Sequence, residues 1–264
     1  MSLRTREMLH WAAAVALIAA SPSGHAAAGE CSAKSGTGTA ALAELYTSEG
    51  CNSCPPADEW LRKLPSAGFG LDRIVPLALH VDYWDYIGWK DPYANAGFSA
   101  RQRELAAINR ARTVYTPQVM LSGRDYQGWS SARAFADAVK SINARPAKAD
   151  IALTSRTAES GGVELRAAAS VAQSERADSA LYAAVYESGL SNRVTAGENR
   201  GVTLHHDFVV RAWWGPIALD ASGKAEVART IGGRGVTAGG FAAFVQNRRT
   251  GEVLQALALP ACSG

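Results

Sequence analysis

The sequence predicts an α/β domain, a sheet with helices on its faces, followed by an all-β sandwich-like domain. Three observations carry that expectation. Between Ala40 and Pro146, strand-like apolar runs alternate with stretches of helical spacing. After Pro146 the texture changes to short alternating runs separated by Gly and Asn turns, which reads as a sandwich of roughly seven strands. Cys51 and Cys54 fall where the first strand gives way to the first helix.

Residues 1–28 read as a secretory signal peptide. Arg4 and Arg6 precede an apolar run from Leu9 to Ala20, Ser21, Pro22 and Gly24 break it, and Ala26–Ala28 offers a small-residue cleavage site. The run is too short to span a bilayer, and no later segment is long and apolar enough to do so. Glu30 directly before Cys31 is unlike a lipid-attachment site. The expected protein is exported, periplasmic or secreted, with no membrane span.

Residues 29–39, rich in Gly, Ser and Thr, read as a flexible tether. Ala40–Tyr46 is the first strand, a nearly continuous apolar run with Glu44 inside it. Trp60, Leu61 and Leu64 mark a helix over 57–64, ended by Pro65, Gly68 and Gly70. Ile74–Val81 is apolar throughout, as in a strand buried on both faces. Ser99–Arg112 reads as a helix capped by Ser99. Thr116–Leu121 is a short strand opened by Thr116-Pro117, Tyr126–Trp129 pairs back on it, and Ser131–Ala144 is the last helix. The first two strands are expected to be parallel. The sandwich-like domain occupies 147–264, with strands at 151–155, 163–168, 181–186, 202–213, 225–231, 241–246 and 253–259.

A net charge of +3, with no basic run and no acidic tail, argues against nucleic acid as a partner. The four cysteines allow three pairings. Cys51 and Cys54 are the close pair. Cys31 and Cys262, near the two ends of the mature chain, are expected to form a structural disulfide, worth at most about 5 kcal/mol by loop entropy.

Two thiols three positions apart at a helix start are neighbours in space. The partial positive charge of a helix N-terminus favours a thiolate there. Cys51 then attacks and Cys54 resolves the mixed disulfide. Pro55 and Pro56 directly after Cys54 move the helix start away from Cys51 and weaken the dipole's hold on its sulfur. A fixed structural disulfide and a metal site are the other chemistries open to the pair.

The element order, the cysteine pair after the first strand, and Thr116-Pro117 before the third strand resemble the thioredoxin fold over 40–145. More narrowly, Glu44–Asp58, His80–Asp85 and Thr116–Gly123 resemble an exported family catalogued as domain of unknown function 1223. The resemblance implies a thioredoxin-like first domain. In it Pro117 is a cis-proline facing the disulfide, and Thr116 offers backbone groups to an extended substrate. It also implies a proton-moving role for Glu44 at the buried thiol. The alternative for Glu44 is an ion pair with an arginine at the sheet edge. Glu49, in the turn, reads as solvated.

Tyr83 and Trp84 open an aromatic segment reaching Tyr93. It either floors a groove for unfolded polypeptide or packs as core between sheet and second domain. His80 ends the second strand on the side of the cysteine turn. With Cys51 and Cys54 it makes an alternative Cu(I) or Zn(II) set, against a plain packing role. His205 and His206 point to opposite faces of a strand.

These readings converge on an exported thiol–disulfide oxidoreductase-like protein. Its expected partners are protein thiols or disulfides and a redox partner protein. No organic cofactor is implied, since no dinucleotide or phosphate loop has the right spacing. The alternatives are a Cu(I)-binding or copper-delivery protein, and a non-catalytic binding module with Cys51–Cys54 as a permanent bridge.

Overall fold

A computed structural model describes residues 30–158, 162–232 and 238–262. The expected signal peptide lies outside the described residues. The elements in chain order are β1 (Cys31–Lys34), β2 (Ala41–Thr47), α1 (Pro55–Lys63), β3 (Ile74–His80), α2 (Ala96–Ile108), β4 (Gln118–Leu121), β5 (Arg124–Asp125) and α3 (Ala132–Asn143). There follow β6 (Ala149–Thr157), β7 (Val163–Val171), β8 (Ser179–Glu187), β9 (Leu190–Arg193), β10 (Thr203–His206), β11 (Val209–Ala218), β12 (Lys224–Ile231), β13 (Gly239–Asn247) and β14 (Val253–Pro260).

This overturns the expected fold class. The chain is mostly β, and it is not a thioredoxin-like α/β domain followed by a separate sandwich. One mixed eight-stranded sheet, ordered β14-β13-β8-β11-β3-β2-β4-β5, runs through both halves. β2 pairs in parallel with β3, and β11 joins the far side of β3 at Val209↔Ala78. The sheet curls until its β14 edge returns to β2, where the Ala40 amide donates to Gln255 Oε1 at 2.8 Å.

A second sheet, β1-β6-β7-β12, packs on one face of the first. Strand alternation explains why β8 is buried along nearly its whole length. Leu181, Ala183 and Val185 face the second sheet; Tyr182, Ala184 and Tyr186 face the core shared with the helices. The residues expected to be a tether include β1, which pairs antiparallel with β6. Cys31 is bonded to Cys262, with the Cα atoms 6.0 Å apart.

Local differences have local causes. α2 starts at Ala96 because the Asn95 side chain caps it, accepting from Gly97 N at 2.8 Å. Ser99 lies inside the helix, with its hydroxyl donated to Asp82. The strand expected over 202–213 is broken at Phe208, whose φ is +59°. The hairpin partner of β4 is the two-residue β5, and Gln127–Ser130 forms a 3-10 turn. Among the described residues no helix is long and apolar enough to cross a membrane.

Candidate functional site

β2 delivers the chain to a tight turn. The Cys51 amide donates to Ser48 O (3.1 Å) and the Cys54 amide to Cys51 O (3.2 Å). α1 begins at Pro55, so Cys54 is its N-cap and Cys51 lies outside the helix. The helix dipole therefore acts on Cys54 more than on Cys51. The two sulfurs are bonded, with a Cα–Cα distance of 5.5 Å. Both cysteines are fully buried, although Asn52 and Ser53 between them are exposed.

Beneath the disulfide lies a cluster of buried ionisable groups. Asp58 sits one helical turn after Cys54 on α1, and its amide donates to Cys54 O at 3.1 Å. Burial pushes the Asp58 carboxyl up, against the pull of His206 and His80. His80 Nδ1 lies 2.7 Å from Asp91 Oδ2, which also accepts from the Glu49 amide at 2.8 Å. Burial opposes charge on His80, but Asp91 beside it prevails and holds its pKa above the usual value. Burial likewise opposes charge on Asp91, and His80 holds that carboxyl below its usual value. The rings of His80 and His206 cross edge to face at 5.0 Å. Thr47 Oγ1, Asp58 Oδ1, His80 Nε2 and His206 Nδ1 are buried without a hydrogen-bond partner among the described residues.

Glu49 is not solvated. It is fully buried and accepts from Trp89 Nε1 (2.9 Å), Asn192 Nδ2 (2.9 Å) and His206 Nε2 (3.0 Å). The carboxyl's burial at the turn is tolerated because β9 and β10 bring hydrogen-bond partners to it.

The aromatic segment lies against the turn. A Cβ on Gly50 would stand 3.1 Å from Trp84 Cβ and 3.3 Å from Ile87 Cδ1. Trp84 Nε1 donates to Thr116 Oγ1 at 2.7 Å, and the Thr116–Pro117 peptide is cis. Trp84 thus links the cysteine turn to the Thr116-Pro117 turn. Tyr83 donates to Gln102 Oε1 at 3.1 Å and is half-buried in the core. Tyr86, 82% exposed, stacks on Trp84.

Glu44 is held elsewhere. Strand alternation puts it on the face of Tyr46, and it pairs with buried Arg101 at 2.5 Å, in the core and not at the sheet edge. The alternative metal set is not assembled either. His80 Nδ1 is committed to Asp91, and among the described residues no three His, Cys, Asp or Glu side chains converge as a metal site. His206 is buried and His205 exposed, as alternation requires.

Sequence reasoning passed over Asp58, Asp91, Asn192 and Asn199. For Asp58 a signal was present: it falls four residues after Cys54 on the buried face of α1. The others lie far along the chain, and their partners follow only from the fold.

The family model described as "Protein of unknown function (DUF1223)" matches residues 42–246. Among curated proteins none matches the chain. The X-ray structure of protein AGR_C_4864 from Agrobacterium tumefaciens is similar, with a TM-score of 0.60 and 25% identity, over 83% of this chain and 93% of that one. HBP35 of Porphyromonas gingivalis aligns with a TM-score of 0.64 over 86% of this chain and 76% of that one; at 14% identity it speaks to the fold alone.

Proposed function

The chain belongs to the family described as protein of unknown function DUF1223, and from that premise we propose that it is an exported thiol–disulfide oxidoreductase. The observation that carries the reading is buried Asp58, one helical turn after Cys54 on α1, where Cys54 is bonded to Cys51 at a strand-to-helix turn. Export rests on the charged and apolar pattern of residues 1–28, and the partners are protein thiols or disulfides.

From the oxidised state, an incoming thiolate attacks Cys51 Sγ. The Cys51–Cys54 bond breaks, and a mixed disulfide forms at Cys51. Cys54 leaves as a thiolate and takes a proton from Asp58, whose acid form burial favours. A second substrate thiolate then attacks the substrate sulfur of the mixed disulfide and frees Cys51 as a thiolate. The substrate gains a disulfide, and the protein ends as the dithiol form of the pair. Asp58 takes over the proton-moving role first read at Glu44.

Full burial of both cysteines favours a second reading, a permanent bridge in a binding module. Trapping separates the two. Under exchange, Cys54→Ser accumulates a mixed disulfide with a cystine-containing peptide and Cys51→Ser does not. Absence of any adduct on Cys54→Ser contradicts exchange.

A further inference from the structure

β9 and β10 form a two-stranded sheet that pairs with no other strand among the described residues. The hairpin lies over the cysteine turn, and four of its residues hydrogen-bond residues 49–52. Asn199 Nδ2 donates to Glu49 O (2.8 Å) and to Cys51 O (3.0 Å). Asn192 and His206 bond the Glu49 carboxylate, and the Asn52 amide donates to Glu198 Oε2 at 3.0 Å. A Cβ on Gly197 would stand 3.0 Å from Ile87 Cδ1, so the hairpin tip also closes on the aromatic segment.

The base of the hairpin is suited to pivot. Gly189, with φ +72° and open space around it, precedes β9; Phe208, with φ +59°, follows β10. The Gly189 amide donates to Asp207 Oδ1 at 2.6 Å and keeps the two ends together. Val194 and Leu204 are buried and Leu190 packs on the core, so opening parts these apolar contacts as well as the hydrogen bonds, a local event that costs less than global unfolding.

We propose that residues 190–206 are a cap over Cys51, which must swing away about the Gly189–Asp207 base before a thiol or disulfide reaches the Cys51 sulfur. The proposal rests on the exchange reading for its purpose, and on the hairpin's contacts for its geometry. Glu49 is the positioning residue of the closed state: its carboxylate and its carbonyl together take Asn192, His206 and Asn199.

The test is the rate at which a small phosphine reduces Cys51–Cys54 in the mature chain, followed by alkylation and intact mass. Asn199→Ala removes both of its hydrogen bonds to the turn and should be reduced at least about tenfold faster than wild type. Glu198 is exposed, so Glu198→Ala leaves the fold intact and should give about a threefold increase. Wild-type rates in both variants would overturn the cap. Faster reduction in the variants of a pair that passes no disulfide to a model dithiol keeps the cap and sinks the exchange reading. Transfer to the model dithiol with unchanged variant rates does the reverse.

Discussion

Arg101 Nε lies 2.5 Å from Glu44 Oε1, and its Nη2 lies 3.0 Å from Glu44 Oε2, a two-point pairing inside the core. The guanidinium is sheathed by Tyr182, Trp213 and Phe244 at 4.9, 4.9 and 5.1 Å, and it also donates to Gln246. Glu44 and Arg101 come from the first half of the chain and the sheath from the second. The two halves therefore share one core, and the pair is a structural tie between them.

Removing one partner leaves a buried charge uncompensated. Arg101→Leu should lower stability by about 3–5 kcal/mol in urea unfolding. Glu44→Gln should keep the exchange rate of the folded protein near wild type. A large loss of exchange in folded Glu44→Gln would return the proton-moving role to Glu44.

Asp58→Asn tests the reassigned role. Loss of a general acid should slow exchange about a hundredfold or more and flatten its pH profile. Stability should hold or rise, because burial disfavours the carboxylate that the amide replaces. An unchanged rate removes Asp58 from the mechanism.

The His80–Asp91 pair predicts a pH window. His80 has a folded pKa above its ordinary 6.5, so its contribution is complete below 6.5 and fades as pH rises through the folded value. Asp91 has a folded pKa below 3.8, so its contribution is complete above 3.8 and fades as pH falls through the folded value. The stability lost in Asp91→Asn should be greatest between pH 3.8 and 6.5 and shrink on both sides. Urea midpoints from acid to mild alkali check this, and a pH-independent loss contradicts it.

Gly123 locks the β4–β5 turn against the β13–β14 turn. Its φ is +82°, and a Cβ there would stand 1.8 Å from Gly251 O. Gly123→Ala should cost at least about 2 kcal/mol, combining left-handed strain with the clash. Gly68, at φ +87° with nothing within 4 Å, carries only the strain. Gly68→Ala should cost about 1 kcal/mol. Equal thermal shifts in the two variants would contradict the close approach.

What the sequence made legible was local. The alternating elements from β2 to α3 follow from periodicity and breakers, and the cysteine turn from its place between β2 and α1. Strand partnership was not legible. Nothing in β11 says that Val209 sits beside Ala78, and that contact turns two expected domains into one sheet. β8 reads as an ordinary strand, yet one face meets the second sheet and the other the Arg101 sheath. Glu49 reads as solvated because its three donors lie 40, 143 and 157 residues away. Pro55 and Pro56 did mark a helix start nearer Cys54 than Cys51, since proline chemistry acts on its own neighbours, although the helix read over 57–64 begins at Pro55.

Exchange of Cys51–Cys54 with substrate thiols is read out in the reduction potential of the pair. Glutathione equilibration followed by alkylation gives it, with the Cys31→Ser/Cys262→Ser variant isolating the pair. An exchanging pair has a value between roughly −270 and −120 mV, the range of working exchangers. A value below about −300 mV, with no transfer to a model disulfide, would contradict exchange and leave the pair a structural bridge.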